Sequence, residues 1–394
     1  MIERSVPAIA NILMKIAEVK THALRCQLEN DETFGYSQAW FQSRAALIVE
    51  ITTDDGITGF GEGFGPPEIT SSVVDHAYKP LLIGRDPFDV DVIWQDLYNV
   101  LRDHGQKGAV IEAISAVDIA LWDIMGKAVN LPVHKLLGGR RRDKIKAYAT
   151  GMYRRRSADS LEILAQEAAG YVEKGFRAVK MKVGFGVKKD IENVKAVRSA
   201  IGDDIMLMVD ANHAYDARTA IMLGKKMEEY GVYWFEEPVP PEDIEGYLEV
   251  KRALNMFIAG GEAEFTRFGF KNLISKKAVD IVQPDCCAAG GLSEVMKIAA
   301  LANTWNIQCW PHVWGTGIAI AAGLHLLATI PDSPPSLTPL EPMLELDRTP
   351  NRLREETEIS LIEMEDGYIK VPTGPGLGIS LDRDFIDRYT VDLR

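Results

Sequence analysis

The sequence predicts an α/β protein, a (β/α) barrel preceded by a smaller α+β domain, and three observations carry that expectation. From Lys144 to Glu341, about 200 residues, short β-rich runs alternate with helical stretches. The residues before them, from Met14, alternate apolar and polar as strands do and then change to helical periodicity. At 394 residues the chain also exceeds the size at which one hydrophobic core stops growing, so a large barrel with an added domain fits its length.

Residues 1–13 are read as an extension, because Met14 stands where the first strand pattern begins. The first domain is expected over 14–138. MKIAEVKTHAL and RAALIVEITTDDGITGFGE form an antiparallel meander with a turn at Asp55-Gly56. Gly59, Gly61, Gly63 and Gly65 match neither the dinucleotide nor the P-loop spacing and are read as turn glycines. Helical periodicity runs from Ile69 to Val129, strongest in AISAVDIALWDIMGK, and LLGGRRRDK marks the boundary. The barrel is expected over 139–349, and the tail 350–394, with EISLIEMEDGYIKVPTGPGLGISLD, should fold back onto the first domain.

Composition narrows the function. With 46% apolar and 26% charged residues the chain can bury a core and is not disordered. The net charge of −13 argues against a nucleic-acid partner, which needs excess lysine and arginine. An anionic small substrate remains compatible if positive charge is concentrated locally, as a metal ion would do. Cys26, Cys286, Cys287 and Cys309 form no CxxC pair, which points to packing thiols and a reducing cytoplasm. No stretch approaches transmembrane length.

The β-rich runs are KIKAYAT, FRAVKMKV, IMLMVDA, VYWFEE, MFIAGGE, VDIVQPD, IQCWPH and SLTPLE. Barrel enzymes assemble their sites at strand C-termini, so the closing residues matter most. From the second run onward these are Lys182, Asp210, Glu236, Glu262, Asp285, His312 and Glu341, with gaps of 28, 26, 26, 23, 27 and 29 residues, each one βα unit. All are ionisable, although acids are uncommon in strands. Asp210, Glu236 and Glu262 would repel one another in a barrel mouth unless a cation sits between them. Hard oxygen ligands without histidine or cysteine favour Mg²⁺.

Alternation sends Lys180 and Lys182 to one face of their strand. Lysine becomes a base only if its pKa falls, and a second ammonium with a divalent cation nearby would lower it, so Lys180 is expected to depress Lys182. His312 lies opposite, with Asp285 placed to fix its tautomer. Glu341 would donate a hydrogen bond if its neighbours kept it protonated.

KxK, VDAN, WFEEP, GGE, QPD and PH at successive strand ends resemble the mandelate racemase subgroup of the enolase superfamily, over a match running from Met14 to GPGLG. The resemblance implies a (β/α)₇β barrel capped by an α+β domain built from both chain ends. It also implies Mg²⁺ on Asp210, Glu236 and Glu262, bases Lys182 and His312 with Asp285 behind the latter, and Glu341 as electrophilic acid, while Lys180 is expected on charge grounds to neutralise a substrate oxygen. Abstraction of a proton beside a carboxylate creates an enediolate, which preorganised positive charge stabilises.

YNVLRDHGQKG, DIALWDI, PHVWGTG and ELDRTPN look most like the galactarolactone cycloisomerases and neighbouring acid-sugar enzymes, whereas GMYRRRS and EAEFTRFGF depart from them. Substrate-binding candidates are Asn212, Tyr36, Trp40, Arg44 and Arg154, with Phe34, Arg155, Arg156, His104 and Gln106 in the same regions. The reaction expected is isomerisation or cycloisomerisation of an acid sugar or its lactone. Dehydration, or racemisation of a 2-hydroxy acid, would use the same groups. A binding protein on an inactive barrel should have lost a base or a ligand, and a dinucleotide oxidoreductase should carry a glycine fingerprint; neither holds here. The family also implies a homo-oligomer.

Overall fold

Two long strands, Ile16–Gln27 and Ser43–Thr53, pair antiparallel, and a turn at Gly56, with φ of 88°, returns the chain into a third, Thr58–Gly63. The protein is described here by a computed structural model covering residues 14–156, 160–358 and 363–392; the extension expected over 1–13 lies outside the described residues.

The glycines of the third strand are not turn residues. Gly59 and Gly61 face helix Ala109–Ala128, where a Cβ would stand 2.3 Å from the Ala120 carbonyl oxygen and 1.9 Å from that of Ala116. Their missing side chains let helix backbone lie directly on the sheet. The helix is buried on nearly every side from Ile111 to Gly126, because its other face meets the barrel. There Trp122 Nε1 donates to Ser293 Oγ at 2.8 Å, and Asp118 accepts the Ser293 N–H at 3.0 Å.

The barrel strands are Lys144–Gly151, Ala178–Lys182, Met206–Asp210, Val232–Glu236, Phe257–Gly260, Ile281–Val282, Gln308–Cys309 and Leu344–Asp347. They pair in parallel in sequence order, and the eighth returns beside the first, Leu344 opposite Ala147 and Asp347 opposite Thr150. Seven helices, from Leu161–Glu173 to Gly317–Thr329, lie between successive strands. This is the (β/α)₇β order with an α+β cap.

One expectation fails in the eighth unit. SLTPLE is not a strand; Pro335, Pro339 and Pro342 break any ladder there, and the strand forms three residues after Glu341, where Leu344–Asp347 alternates without proline. Glu341 is therefore an exposed loop residue.

Inside the barrel, Tyr148, Ala178, Met208, Trp234, Ala259, Ile281, Trp310 and Met343 form a closed apolar layer, one residue from each strand or its immediate flank. Tyr148, Trp234 and Trp310 fill most of it, and Ala178 and Ala259 leave them room. Because side chains on one face recur every second residue, the next inward layer is Thr150, Lys180, Asp210, Glu236, Gly261, Gln283, His312 and Glu345. This polar layer is the floor of the site.

The tail first pairs with the barrel, Tyr368–Lys370 running antiparallel to Lys144–Lys146. It then reaches the cap: the Val391 N–H bonds the Ala23 carbonyl at 2.9 Å.

Candidate active site

Period-two alternation delivers Asp210 and Glu236 to the floor, and a third acid arrives by a different route. The fifth strand ends at Gly260, and Gly261, at φ of 124°, turns the chain so that Glu262 points inward. One carboxylate oxygen from each of Asp210, Glu236 and Glu262 lies within 4.8 Å of the other two. Asn212 donates to Glu262 at 3.2 Å, while Glu262 Oε2 and Asn212 Oδ1 are buried without a hydrogen-bond partner among the described residues.

The charges explain what such a trio needs. Burial, together with the neighbouring acids, pushes Glu236 up to about 8 and Glu262 up to about 7. Asp210 alone is held low, since Lys182 and then Lys180 outweigh its burial. Two of three converging acids thus resist ionisation for want of positive charge. Acids so placed, with two orphaned oxygens beside them, fit a hard divalent cation.

Both lysines are paired. Lys180 is fully buried, its Nζ 2.6 Å from Glu236 and 2.8 Å from Glu345, and Lys182 is bonded to Asp210. Burial and, as expected, Lys180 act to lower the Lys182 pKa, but Asp210 and other neighbours outweigh them and raise it well above the ordinary value.

Across the cavity His312 Nδ1 lies 2.6 Å from Asp285 Oδ2, and its Nε2 lies 3.6 Å from Glu262. Burial acts to lower this imidazole, but Glu262 and the bond to Asp285 raise it to about 10. Asp285 is held in place by the Cys287 N–H at 2.6 Å.

Glu345 occupies the position in the polar layer that had been assigned to Glu341. It touches Lys180 and accepts from Thr150 Oγ1 at 2.5 Å. Despite burial, Lys180 and His312 hold it at about 2, so it is an ionised acceptor and not the neutral donor expected at this strand.

A cavity of about 580 Å³ opens above the floor, reached by Lys182, Asn212, Glu262, His312 and Glu345. Lys180 and Glu236 lie beneath it. Over 27–138 the sequence matches the mandelate racemase and muconate lactonizing enzyme N-terminal domain, and over 163–385 the enolase C-terminal domain-like family. The chain belongs to the enolase superfamily. It is an enzyme of the isomerase or lyase type. It is 44% identical to the D-galactarolactone cycloisomerase of Agrobacterium fabrum, over 95% of this chain and 99% of that one. It is 35% identical to an arabinonate dehydratase of Saccharolobus solfataricus, again over 95% and 99%. Among solved structures, the 3,6-anhydro-D-galactonate cycloisomerase of Zobellia galactanivorans superimposes with a TM-score of 0.87 at 43% identity, covering 96% of this chain and all of that one.

As an enolase-superfamily cap, the first domain closes the cavity with aromatic rings. Tyr36 lines it, and Ser37 fastens the Tyr36 loop to the loop after Asp210, donating to the Ala211 carbonyl at 2.8 Å. Phe34 stacks on Phe41 at 5.0 Å, the barrel residues Tyr153 and Trp314 meet them edge-on at 4.9 Å and tilted at 5.1 Å, and Phe64 meets the His312 ring edge-on at 5.6 Å. Arg44 lines the cavity, but its guanidinium is bonded to Asp347 at 2.7 Å and sits between the rings of Phe34 and Trp314. It joins cap to barrel.

Trp40 and Arg154 do not line the cavity. Arg154 and Arg156 lie over the Trp40 ring at 6.0 and 4.7 Å, and His104 and Gln106 are exposed elsewhere. Beyond Glu345, the sequence reading missed His213, Glu237 and Glu112. His213 lines the cavity with Nδ1 2.8 Å from the buried Glu237 carboxylate, and both backbones are left-handed, φ 62° and 43°. The signal for Glu345 was the alternation Met343, Glu345; the signal for His213 was its place just after an acidic strand end.

Proposed function

We propose that this enzyme removes the proton α to the carboxylate of an acid sugar or its lactone, giving isomerisation or cycloisomerisation. The observation that carries the reading is the placement of Lys182 and His312 on opposite sides of one cavity, with the acid trio between them. Asp210, Glu236 and Glu262 would hold Mg²⁺, and the two orphaned oxygens support that choice over a merely structural cluster. When bound, the ion supplies fixed positive charge for the substrate carboxylate and for the charge that develops on it.

The chain's own residues do the proton work. Lys182 would face one side of the α-carbon and His312 the other; Asp210 and Glu262 hold both of them protonated, and a cation on those acids would weaken that hold, so that one of the pair can remove the proton and the other return it. Asp285 holds His312 through Nδ1, which leaves Nε2 toward the cavity. Lys180, buried between Glu236 and Glu345, fixes positive charge beneath the substrate. The aromatic cap excludes water.

A second reading is dehydration. The arabinonate dehydratase at 35% identity supports it, and His312 as an imidazolium is placed to protonate a departing β-hydroxyl. Racemisation needs the same pair of bases. Four buried, unpaired thiols support a cytoplasmic location, and the family supports a homo-oligomer.

The deciding experiment follows aldarates, aldonates and their lactones by NMR in D₂O with Mg²⁺ present. Deuterium at the α-carbon in a product of retained composition is expected. A 2-keto product formed with loss of water would replace isomerisation by dehydration, and no exchange on any compound would overturn both. EDTA, Lys182→Ala and His312→Asn should each abolish turnover.

A further inference from the structure

Buried acids near the junction of cap and barrel all have partners in the protein except one. Glu62 accepts from Thr316 and Ala319, Asp118 from Ser293, Asp123 from Lys127, and Glu264 pairs with Lys107. Glu112, in the first turn of helix Ala109–Ala128, is 7% exposed, yet among the described residues its carboxyl makes no hydrogen bond or ion pair. The cations that line the same cavity are committed elsewhere: Arg25 to Glu68, Arg44 to Asp347, Lys182 to Asp210.

The carboxyl lines the cavity on its cap side. Space for it is made by Gly65, where a Cβ would stand 1.9 Å from Glu112 Oε2. Pro66 and Pro67, directly after that glycine, stiffen the wall. A carboxyl that opens to the cavity and has no partner in the protein is free to bond a group that enters that space.

We infer that Glu112 is a substrate-recognition residue, whose carboxyl hydrogen-bonds a hydroxyl of the acid sugar at the cap wall. This rests on the acid-sugar reading above and deepens it. A second substrate carboxylate is disfavoured at this point, since Asp285 faces the same region and would add repulsion. Burial, with Asp285 second, pushes Glu112 up to about 7, so near neutrality both protonation states are present. A hydroxyl donates to one and accepts from the other, whereas an ammonium or a carboxylate suits only one.

The test uses whichever panel compound the wild-type enzyme converts, together with its monodeoxy analogues. Glu112→Ala should lower kcat/KM on the parent about 10- to 100-fold, mainly through KM. On the one analogue that lacks the hydroxyl held by Glu112, the same substitution should have almost no effect. Glu112→Gln keeps a donor and an acceptor and should retain most of the activity. If Ala does not fold, Glu112→Asp, whose shorter side chain draws the carboxyl back from the hydroxyl, gives the readout on the same analogues. A loss of equal size on every analogue, or no loss on the parent, would overturn the inference while leaving the acid-sugar reading intact. Failure of the wild-type enzyme on the whole panel would remove the reading, and this inference with it.

Discussion

Glu345 shows how one side chain sets the charge of the whole floor. Its carboxylate neutralises Lys180 and lies near His312, and those two cations hold it ionised at about 2. Glu345→Gln removes one negative charge from the buried cluster of ionisable groups around Lys180. It should lower kcat by roughly 10²-fold or more, the scale seen when one preorganised group is deleted. Glu341→Gln, four residues earlier on an exposed loop, should change kcat less than about twofold. Parallel assays of the two variants decide which acid belongs to the site. That Glu345 sits there was legible in principle, because Met343 and Glu345 share a face under the period-two rule. The positions of the acid trio, Lys182, His312 and Asp285 were legible, because each lies at or beside a strand end. Protonation states were not legible, since they depend on partners from other strands: the sequence gives Lys180 as a neighbour of Lys182 and is silent on Glu236 and Glu345 beside it.

At the scale of elements, close approach of backbone to backbone decides where side chains are forbidden. Gly61→Ala would place a Cβ 1.9 Å from the Ala116 carbonyl oxygen, and neither strand Thr58–Gly63 nor helix Ala109–Ala128 can shift without disturbing the other face. The expected cost is about 1–3 kcal/mol or more, seen as a fall of several degrees in Tm. Gly170→Ala is the control. Gly170 lies within helix Leu161–Glu173 with nothing within 4 Å of a new Cβ, so the change should stabilise by about 0.5–1 kcal/mol. Equal effects at both sites would refute the packing argument. The same contrast explains what could be read of the elements. The alternation of strands and helices is local, so the barrel and the antiparallel meander were visible in the pattern. A glycine that serves a neighbouring helix looks the same as one that serves a turn. Trp40 and Arg154 were misplaced for a related reason: the two-residue strands Trp40–Phe41 and Arg154–Arg155 each pair with Phe34–Gly35, and this lid turns both side chains away from the cavity.

For the whole molecule, the site depends on the cap staying seated, and several buried polar contacts hold it there. Arg44 and Arg354 both bond Asp347 at 2.7 Å, and the Trp94 indole donates to the Gly290 carbonyl at 2.7 Å. The chain end adds one more. Glu50 in the central cap strand accepts two bonds of 2.8 Å from Arg383, in helix Arg383–Tyr389, and one of 2.8 Å from His22. The Arg383 bonds, against some burial, hold Glu50 at about 2. A folded-state value below the unfolded one means that the contact contributes fully above about pH 4.5 and is lost as pH falls toward 2. Arg383 is half exposed, which limits the contribution to about 1–2 kcal/mol. Glu50→Gln should therefore speed hydrogen exchange in the 383–391 segment about 5- to 30-fold at pH 7, and the gap from wild type should close between pH 4.5 and pH 2. A gap unchanged across that range would mean that packing of Phe385 and Ile386, and not the ion pair, holds the chain end to the cap.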